Sequence, residues 1–238
     1  MTSRKPGKSF ESAGFILLQL FGKGEESDLK IVARSLQFAR GFILSYGNQG
    51  TKKRLWDSEY HANKWHFADH TEGDCVYGYL ERYARCGKIL DLGCGSGNTC
   101  TELADSAYRS YLGVDISDEA LAKASFRSEA AGRSAKNRFV QSDFLSFDTA
   151  EKFDVILFRE SMYHIPLERV KFLLNKLSPN LNNDGVFIVR LNIMQGGKVK
   201  FRPNKMIEII ARNFPVVERS ENRNNGAVVI VFGARHKD

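Results

Sequence analysis

Three glycines stand at alternate positions in Ile89-Leu90-Asp91-Leu92-Gly93-Cys94-Gly95-Ser96-Gly97, immediately behind an apolar run. Glycine lets a backbone turn tightly and lets a ligand approach the main chain where a side chain would collide, and a helix that follows presents unpaired N–H groups. The combination suits a nucleotide-type cofactor at the carboxyl end of a strand. The dinucleotide fingerprint G-x-G-x-x-G would need its third glycine at position 98, which is Asn98, so the pattern is D-x-G-x-G-x-G. Asp115 closes a second apolar run 20 residues after Gly95. A carboxylate there can accept two hydroxyl hydrogen bonds at once; the alternative is a cap for the next helix, a task that suits Ser117 better.

A second set of reactive types lies in Phe158-Arg159-Glu160-Ser161-Met162-Tyr163-His164-Ile165-Pro166. An unperturbed histidine titrates near neutrality, so His164 can take a proton from an amine or hydroxyl, or can simply be hydrogen-bonded to backbone at a helix start. Glu160 can bind a cationic acceptor or act as base, and Tyr163 can line the pocket. Trp56, Tyr60, Trp65 and Phe67 form an aromatic group upstream, either packing or holding a cation on their faces. His66 and His70 have the i, i+4 spacing of a helical metal pair but no evident third ligand, so no metal is expected. Cys75, Cys86, Cys94 and Cys100 form no C-x-x-C pair, and Cys94 reads as a small packing residue rather than a nucleophile.

These groups need a scaffold. From Lys88 onward short apolar runs alternate with amphipathic stretches: strands over 88–92, 110–115, 137–141, 153–158 and 185–191, and helices over 98–105, 118–131 and 167–177. Such alternation means a doubly wound parallel sheet covered by helices on both faces. The runs 216–220 and 227–232 flank Asn222 to Gly226, a hairpin signal, so the seventh and last strand should be antiparallel. Upstream the chain reads helical. Ser27 can cap a helix with Val32, Leu36, Ala39 and Ile43 on one face and Gly47 at its end, a shorter helix fits 15–21, and another fits 74–84. Residues 1–70 are therefore expected to form a helical cap and 71–238 the α/β domain.

The D-x-G-x-G-x-G loop resembles motif I of class I S-adenosylmethionine-dependent methyltransferases. Three further elements fall in register: Asp115 at the end of the second strand, Ser142-Asp143-Phe144 after the third, and Phe153-Asp154-Val155-Ile156 opening the fourth. The resemblance covers about residues 71–238 and implies a Rossmann-like sheet that binds S-adenosyl-L-methionine and releases S-adenosyl-L-homocysteine. It implies a ribose contact from Asp115, with Ile116 beside it among the cofactor-binding residues. Adenine contacts would come from Ser142, Asp143 and Phe144, although Asp143 can equally cap a turn. The loop residues Asp91, Gly93, Cys94 and Gly95, with Arg159, complete the implied cofactor set; Asp91 can also lie beneath the loop and orient it. Glu160, Tyr163 and His164 fall where the family faces the reactive methyl, and Trp56, Tyr60 and Trp65 where it often carries a lid.

With 238 residues and 42% hydrophobic content the chain suits one large domain, or one domain plus an appendage. Its longest apolar stretch, 15–21, is too short to span a bilayer, so a cytoplasmic protein is expected. Of the net charge of +7, +6 falls between Arg190 and the end, where ten Lys or Arg face four acids. Such a field attracts anions or simply keeps the protein soluble. The preferred acceptor is a small molecule, free, anionic or carrier-bound, with RNA or protein docked on the basic C-terminal region as the alternative. The oligomeric state is open.

Overall fold

The computed structural model describes residues 26–66, 71–195, 198–199, 201–222 and 225–234, so the helix expected over 15–21 and the residues Phe67 and His70 lie outside the described residues. The chain divides into two compact units between Phe42 and Ile43. Helix α1 (Glu26–Tyr46) runs across this division and ends where Gly47 N–H returns to the Ile43 carbonyl at 2.8 Å. Because it begins at Glu26, Ser27 sits inside its first turn and is not its cap. Leu36 and Ala39, expected on its apolar face, are exposed.

In the larger unit, helix α2 (Gln49–His61) occupies what the sequence suggested was a glycine break and an irregular aromatic segment. Asn48 starts it: the residue is extended and its side chain accepts the Thr51 N–H at 2.9 Å. Helix α3 (Val76–Ala84) follows, with its Val76 N–H held by Asp74 and its Val76, Leu80 and Ala84 side chains buried.

Seven strands form the sheet: β1 (Lys88–Leu92), β2 (Ser110–Asp115), β3 (Asn137–Gln141), β4 (Phe153–Arg159), β5 (Leu181–Asn192), β6 (Val216–Asn222) and β7 (Ala227–Phe232). Their order is β3-β2-β1-β4-β5-β7-β6. The first five are parallel, with Leu90 opposite both Leu112 and Ile156, whereas β7 runs antiparallel to β5 and β6. This is the expected Rossmann-like, doubly wound architecture with a reversed last strand. Alternation along the strands feeds two cores. Leu90, Leu92, Ile156, Phe158 and Val189 pack with helices α6 (Leu167–Leu177) and α7 (Phe201–Asn213), and Ile89, Val155, Leu157 and Ile188 pack with α3.

Two boundaries in the α/β domain differ from expectation by more than two residues. The helix after the glycine loop, α4 (Asn98–Glu102), is one turn and a half, and a 3₁₀ turn at Asp105–Ala107 completes the connection. Strand β5 starts at Leu181, because a register shift opposite Phe153 and Val155 accommodates four extra residues that polar Asn182, Asn183 and Asp184 hid from the hydrophobic pattern. Strand order reverses between β1 and β4, and it is in the crevice at such a switch point that open α/β sheets bind ligands.

Candidate active site

The loop after β1 is built around its glycines. Gly93, Gly95 and Gly97 have φ of +82°, +55° and +78°, where other residues are strained. A Cβ on Gly93 would lie 2.4 Å from the Ser161 Cβ, and one on Gly97 would lie 2.8 Å from that of Ala124 in helix α5 (Asp118–Ala130). The Gly93 and Cys94 N–H groups both bond the Val114 carbonyl, and Ser161 Oγ donates to the Leu92 carbonyl at 2.5 Å. The ends of β1, β2 and β4 are thus tied into one floor.

Two acids lie beneath that floor. Asp91 is buried; its Oδ2 accepts the Tyr111 hydroxyl at 2.6 Å, while Oδ1 has no hydrogen-bond partner among the described residues, and burial pushes its carboxyl pKa up. Asp115 accepts the N–H groups of Gly95 and Ser117, each at 3.0 Å, and burial pushes its pKa up to about 6 against the pull of those donors. Cys94 offers little polar chemistry: burial pushes its thiol well up, its N–H is spent on Val114, and its carbonyl accepts the Gly97 N–H. Ile116 is buried and its carbonyl takes the Gln141 amide. The Ser142 N–H bonds the Asp115 carbonyl, and Phe144 stands edge-on to Phe158 beside Gly93, so the implied adenine segment does reach the loop.

Helix α2 touches all four loops at this edge. Tyr60 Oη lies 2.8 Å from where a Gly95 Cβ would stand. Asp57 accepts the Ser117 hydroxyl at 2.7 Å, Lys52 pairs with Asp143 at 3.1 Å, and the Trp56 ring meets His164 edge-on at 4.9 Å. Trp65 packs on Trp56 at 5.2 Å and donates to Glu59. The three aromatic residues singled out in the sequence therefore come together, and Trp56 joins them to His164.

At the ends of β4 and β5 lies a charged network. Glu160 has φ +54°, unusual for a residue with a side chain, and its N–H bonds the Arg190 carbonyl at 2.9 Å. Its carboxylate takes the Arg190 guanidinium and the Tyr163 hydroxyl, and the Tyr163 oxygen in turn accepts the Asn192 N–H. Burial and the Glu160 charge both push the Tyr163 pKa upward, so this phenol acts as a donor and does not serve as a base. Arg190 also reaches Asp74 at 3.2 Å; Arg159 lies 3.6 Å from the same carboxylate, donates to Thr99 and crosses the Tyr77 ring. Among the described residues no group of three His, Cys, Asp or Glu could hold a metal ion.

Sequence reasoning missed Lys52, Asp57, Asp74, Ser161 and Arg190. Lys52, Trp56 and Tyr60 fall at i, i+4, i+8, one face of a helix, and that spacing was the available signal. For Arg190 there was none, since its role depends on a pairing between strands.

The fold and this crevice define a nucleotide-cofactor enzyme domain of the methyltransferase type. Residues 85–209, just over half the chain, match the family described as "Methyltransferase domain", and the chain belongs to that family. Carboxy-S-adenosyl-L-methionine synthase of Nautilia profundicola is 30% identical over 112 residues, 47% of each chain. A protein-lysine N-methyltransferase of Saccharomyces cerevisiae is 26% identical over 175 residues, covering 61% of this chain and 76% of the yeast protein. The chain thus spans about half the length of the first of these relatives. An S-adenosylmethionine-dependent methyltransferase structure from Clostridium acetobutylicum superposes with a TM-score of 0.58 at 15% identity, over 74% of this chain and 99% of that one, which establishes the common fold.

Proposed function

We propose that this chain is an S-adenosyl-L-methionine-dependent methyltransferase that methylates an amine or hydroxyl of a small molecule and releases S-adenosyl-L-homocysteine. The observation that carries this reading is the roof: α2 contacts the loops after β1, β2, β3 and β4 together, an enclosure suited to a small acceptor and to exclusion of water.

The residues present fit the cofactor. Among the described residues Asp91 Oδ1 has no hydrogen-bond partner and is an acceptor that an ammonium group would satisfy, and Gly93 and Gly95 let Ser161 and Tyr60 come closer to the main chain than a Cβ would allow. Asp115 would hold the ribose, Ile116 would pack beside it, Ser142, Asp143 and Phe144 would hold the adenine, and Arg159 the carboxylate end. When bound, S-adenosyl-L-methionine supplies an electrophilic methyl group whose leaving group is a neutral thioether. Positioning then accounts for much of the acceleration. Glu160, oriented by Arg190 and Tyr163, accepts a hydrogen bond from the acceptor and aims it. His164 receives the acceptor's proton and passes it to solvent, and Trp56 restricts the imidazole's orientation.

The yeast relative acts on protein lysine by its name, which favours protein as the second reading, with the basic C-terminal region as the docking surface. One experiment separates the two. Purified protein is titrated calorimetrically with S-adenosyl-L-homocysteine, then incubated with methyl-labelled cofactor and cell extract that is separated into metabolite, RNA and protein fractions. Binding with label among metabolites supports the proposal. Label in protein or RNA refutes the small-molecule acceptor, and failure to bind refutes the methyltransferase reading itself.

A further inference from the structure

We propose that the apolar face of helix α1 docks on an anionic lipid surface, lying in the interface of a bilayer rather than crossing it. Between Ile31 and Phe42 this helix holds its apolar side chains in water: Ile31, Leu36, Phe38 and Phe42 are 59%, 62%, 78% and 60% exposed, and Ala39 is exposed beside them. At about 100° per residue all of these fall within one arc of about 160°. Single exposed apolar residues are ordinary, but a contiguous stripe marks a surface that is used. The one polar residue inside the arc over this stretch, Ser35, turns its hydroxyl back to the Ile31 carbonyl at 3.0 Å, so it adds little demand for water. Leu44, on the far side of the helix, is buried.

The charges choose the occupant. Between Ile31 and Leu44 the only ionisable side chains are those of Arg34 and Arg40. They stand about 40° beyond the two edges of the arc, one on either side. An interfacial helix is built this way: the apolar arc sinks to the level of the acyl chains, while a guanidinium on each flank reaches outward on its aliphatic stem to the lipid phosphates. A second copy of this chain fits the face less well. Two such faces brought together would set Arg34 and Arg40 of one helix beside those of the other, with no acid on the stretch to separate them. An uncharged bilayer would leave both cations without partners. No helix among the described residues is long and apolar enough to cross a membrane, so the contact is one of surface.

The test uses the full chain and needs neither cofactor nor methyl acceptor. Cosedimentation is measured with vesicles of phosphatidylcholine alone and of phosphatidylcholine mixed with an equal part of phosphatidylglycerol. The variants are Leu36→Ser/Phe38→Ser, which removes apolar area and keeps every charge, and Arg34→Gln, which does the converse; all three side chains are exposed, and circular dichroism checks that each chain is folded. Wild type should bind the mixed vesicles at least about tenfold more tightly than the neutral ones, since each cation near an anionic leaflet contributes about a fivefold factor. Leu36→Ser/Phe38→Ser should lose about tenfold or more on the mixed vesicles. Arg34→Gln should lose about fivefold there and keep its affinity for neutral vesicles. If the double variant binds mixed vesicles as well as wild type, the attraction belongs to the net charge of +7 and not to α1, and the proposal is overturned. An Arg34→Gln chain that matches wild type overturns the choice of an anionic surface. The proposal falls equally if wild type binds no vesicle, and a dimer in analytical ultracentrifugation that Leu36→Ser/Phe38→Ser dissociates would then assign the face to a second copy.

Discussion

Asp115 provides a test in which stability and binding respond to the same proton. Burial raises its carboxyl from 3.8 to about 6 in the folded chain. A raised folded pKa means that the native state binds the proton more tightly than the unfolded state, so the contribution to stability is complete below about pH 4 and is lost as pH rises through 6. At about 1.4 kcal/mol per pKa unit, the loss across that window is about 3 kcal/mol. Asp115→Asn cannot titrate. Urea unfolding of both chains by circular dichroism at half-unit steps from pH 4 to 8 therefore isolates Asp115, because the other carboxylates cancel in the difference. Wild-type stability relative to the variant should be highest at pH 4 and already declining there, fall by about 2 to 3 kcal/mol towards pH 7, and be level above that. S-adenosyl-L-homocysteine affinity should run the other way in wild type, falling as pH drops below about 6, if Asp115 holds the ribose hydroxyls as proposed, because they need the ionised acceptor. A flat difference curve, or one that rises with pH, would refute the assignment of a strained buried carboxylate at the end of β2.

Gly97→Ala forces a Cβ to within 2.8 Å of Ala124 at φ +78°, whereas Gly132 has φ +69° and nothing within 4 Å. The first substitution should cost about 2 to 4 kcal/mol and Gly132→Ala about 1 kcal/mol in urea unfolding; equal losses would show that the loop does not pack on α5 as described. Both of the chain's tryptophans, Trp56 and Trp65, belong to the roof, so intrinsic fluorescence should change and saturate with the calorimetric affinity when S-adenosyl-L-homocysteine is added. Binding that leaves the fluorescence untouched would separate α2 from the cofactor. His164→Ala should lower turnover by about 100-fold and leave S-adenosyl-L-homocysteine affinity within about twofold, and an unchanged rate would remove His164 from the proton path.

The strands, the glycine loop and Asp115 were legible because each carries a local signature: short apolar runs between amphipathic stretches, glycines at alternate positions, and a fixed distance along the chain. The hairpin showed itself through Asn222 to Gly226 for the same reason. Helix α2 was not legible, since Gly47 and Gly50 suggest a break and Asn48, whose side chain caps the helix by accepting the Thr51 N–H, lies between them. Its low apolar content also masks it, because several polar residues face the protein: Lys52 and Asp57 look solvated in sequence and are bonded across the crevice. Arg190 and Asp74 illustrate a deeper limit. Their partners lie 30 residues or more away in sequence, and only the β4 to β5 register brings Glu160 opposite Arg190.

The charge count is where linear reading and structure diverge most usefully. Ten cations follow Arg190, itself included, but they are not equivalent. Arg190 is withdrawn between Asp74 and Glu160, and Arg202 is partly buried with a guanidinium N–H on the Ile165 carbonyl; neither can leave for a phosphate without stranding a buried group. Lys205 and Arg212 share Glu208, and Arg219 reaches Glu221, but these pairs are solvated and worth little, so a polyanion could recruit them cheaply. The same element that suggested docking in sequence therefore does two jobs. Its first cation fixes Glu160 at the edge proposed to receive the acceptor, and its exposed ones set a general field. A small anionic acceptor needs only the field to approach and the crevice to be held, whereas a macromolecule would need the exposed cations to converge on one face.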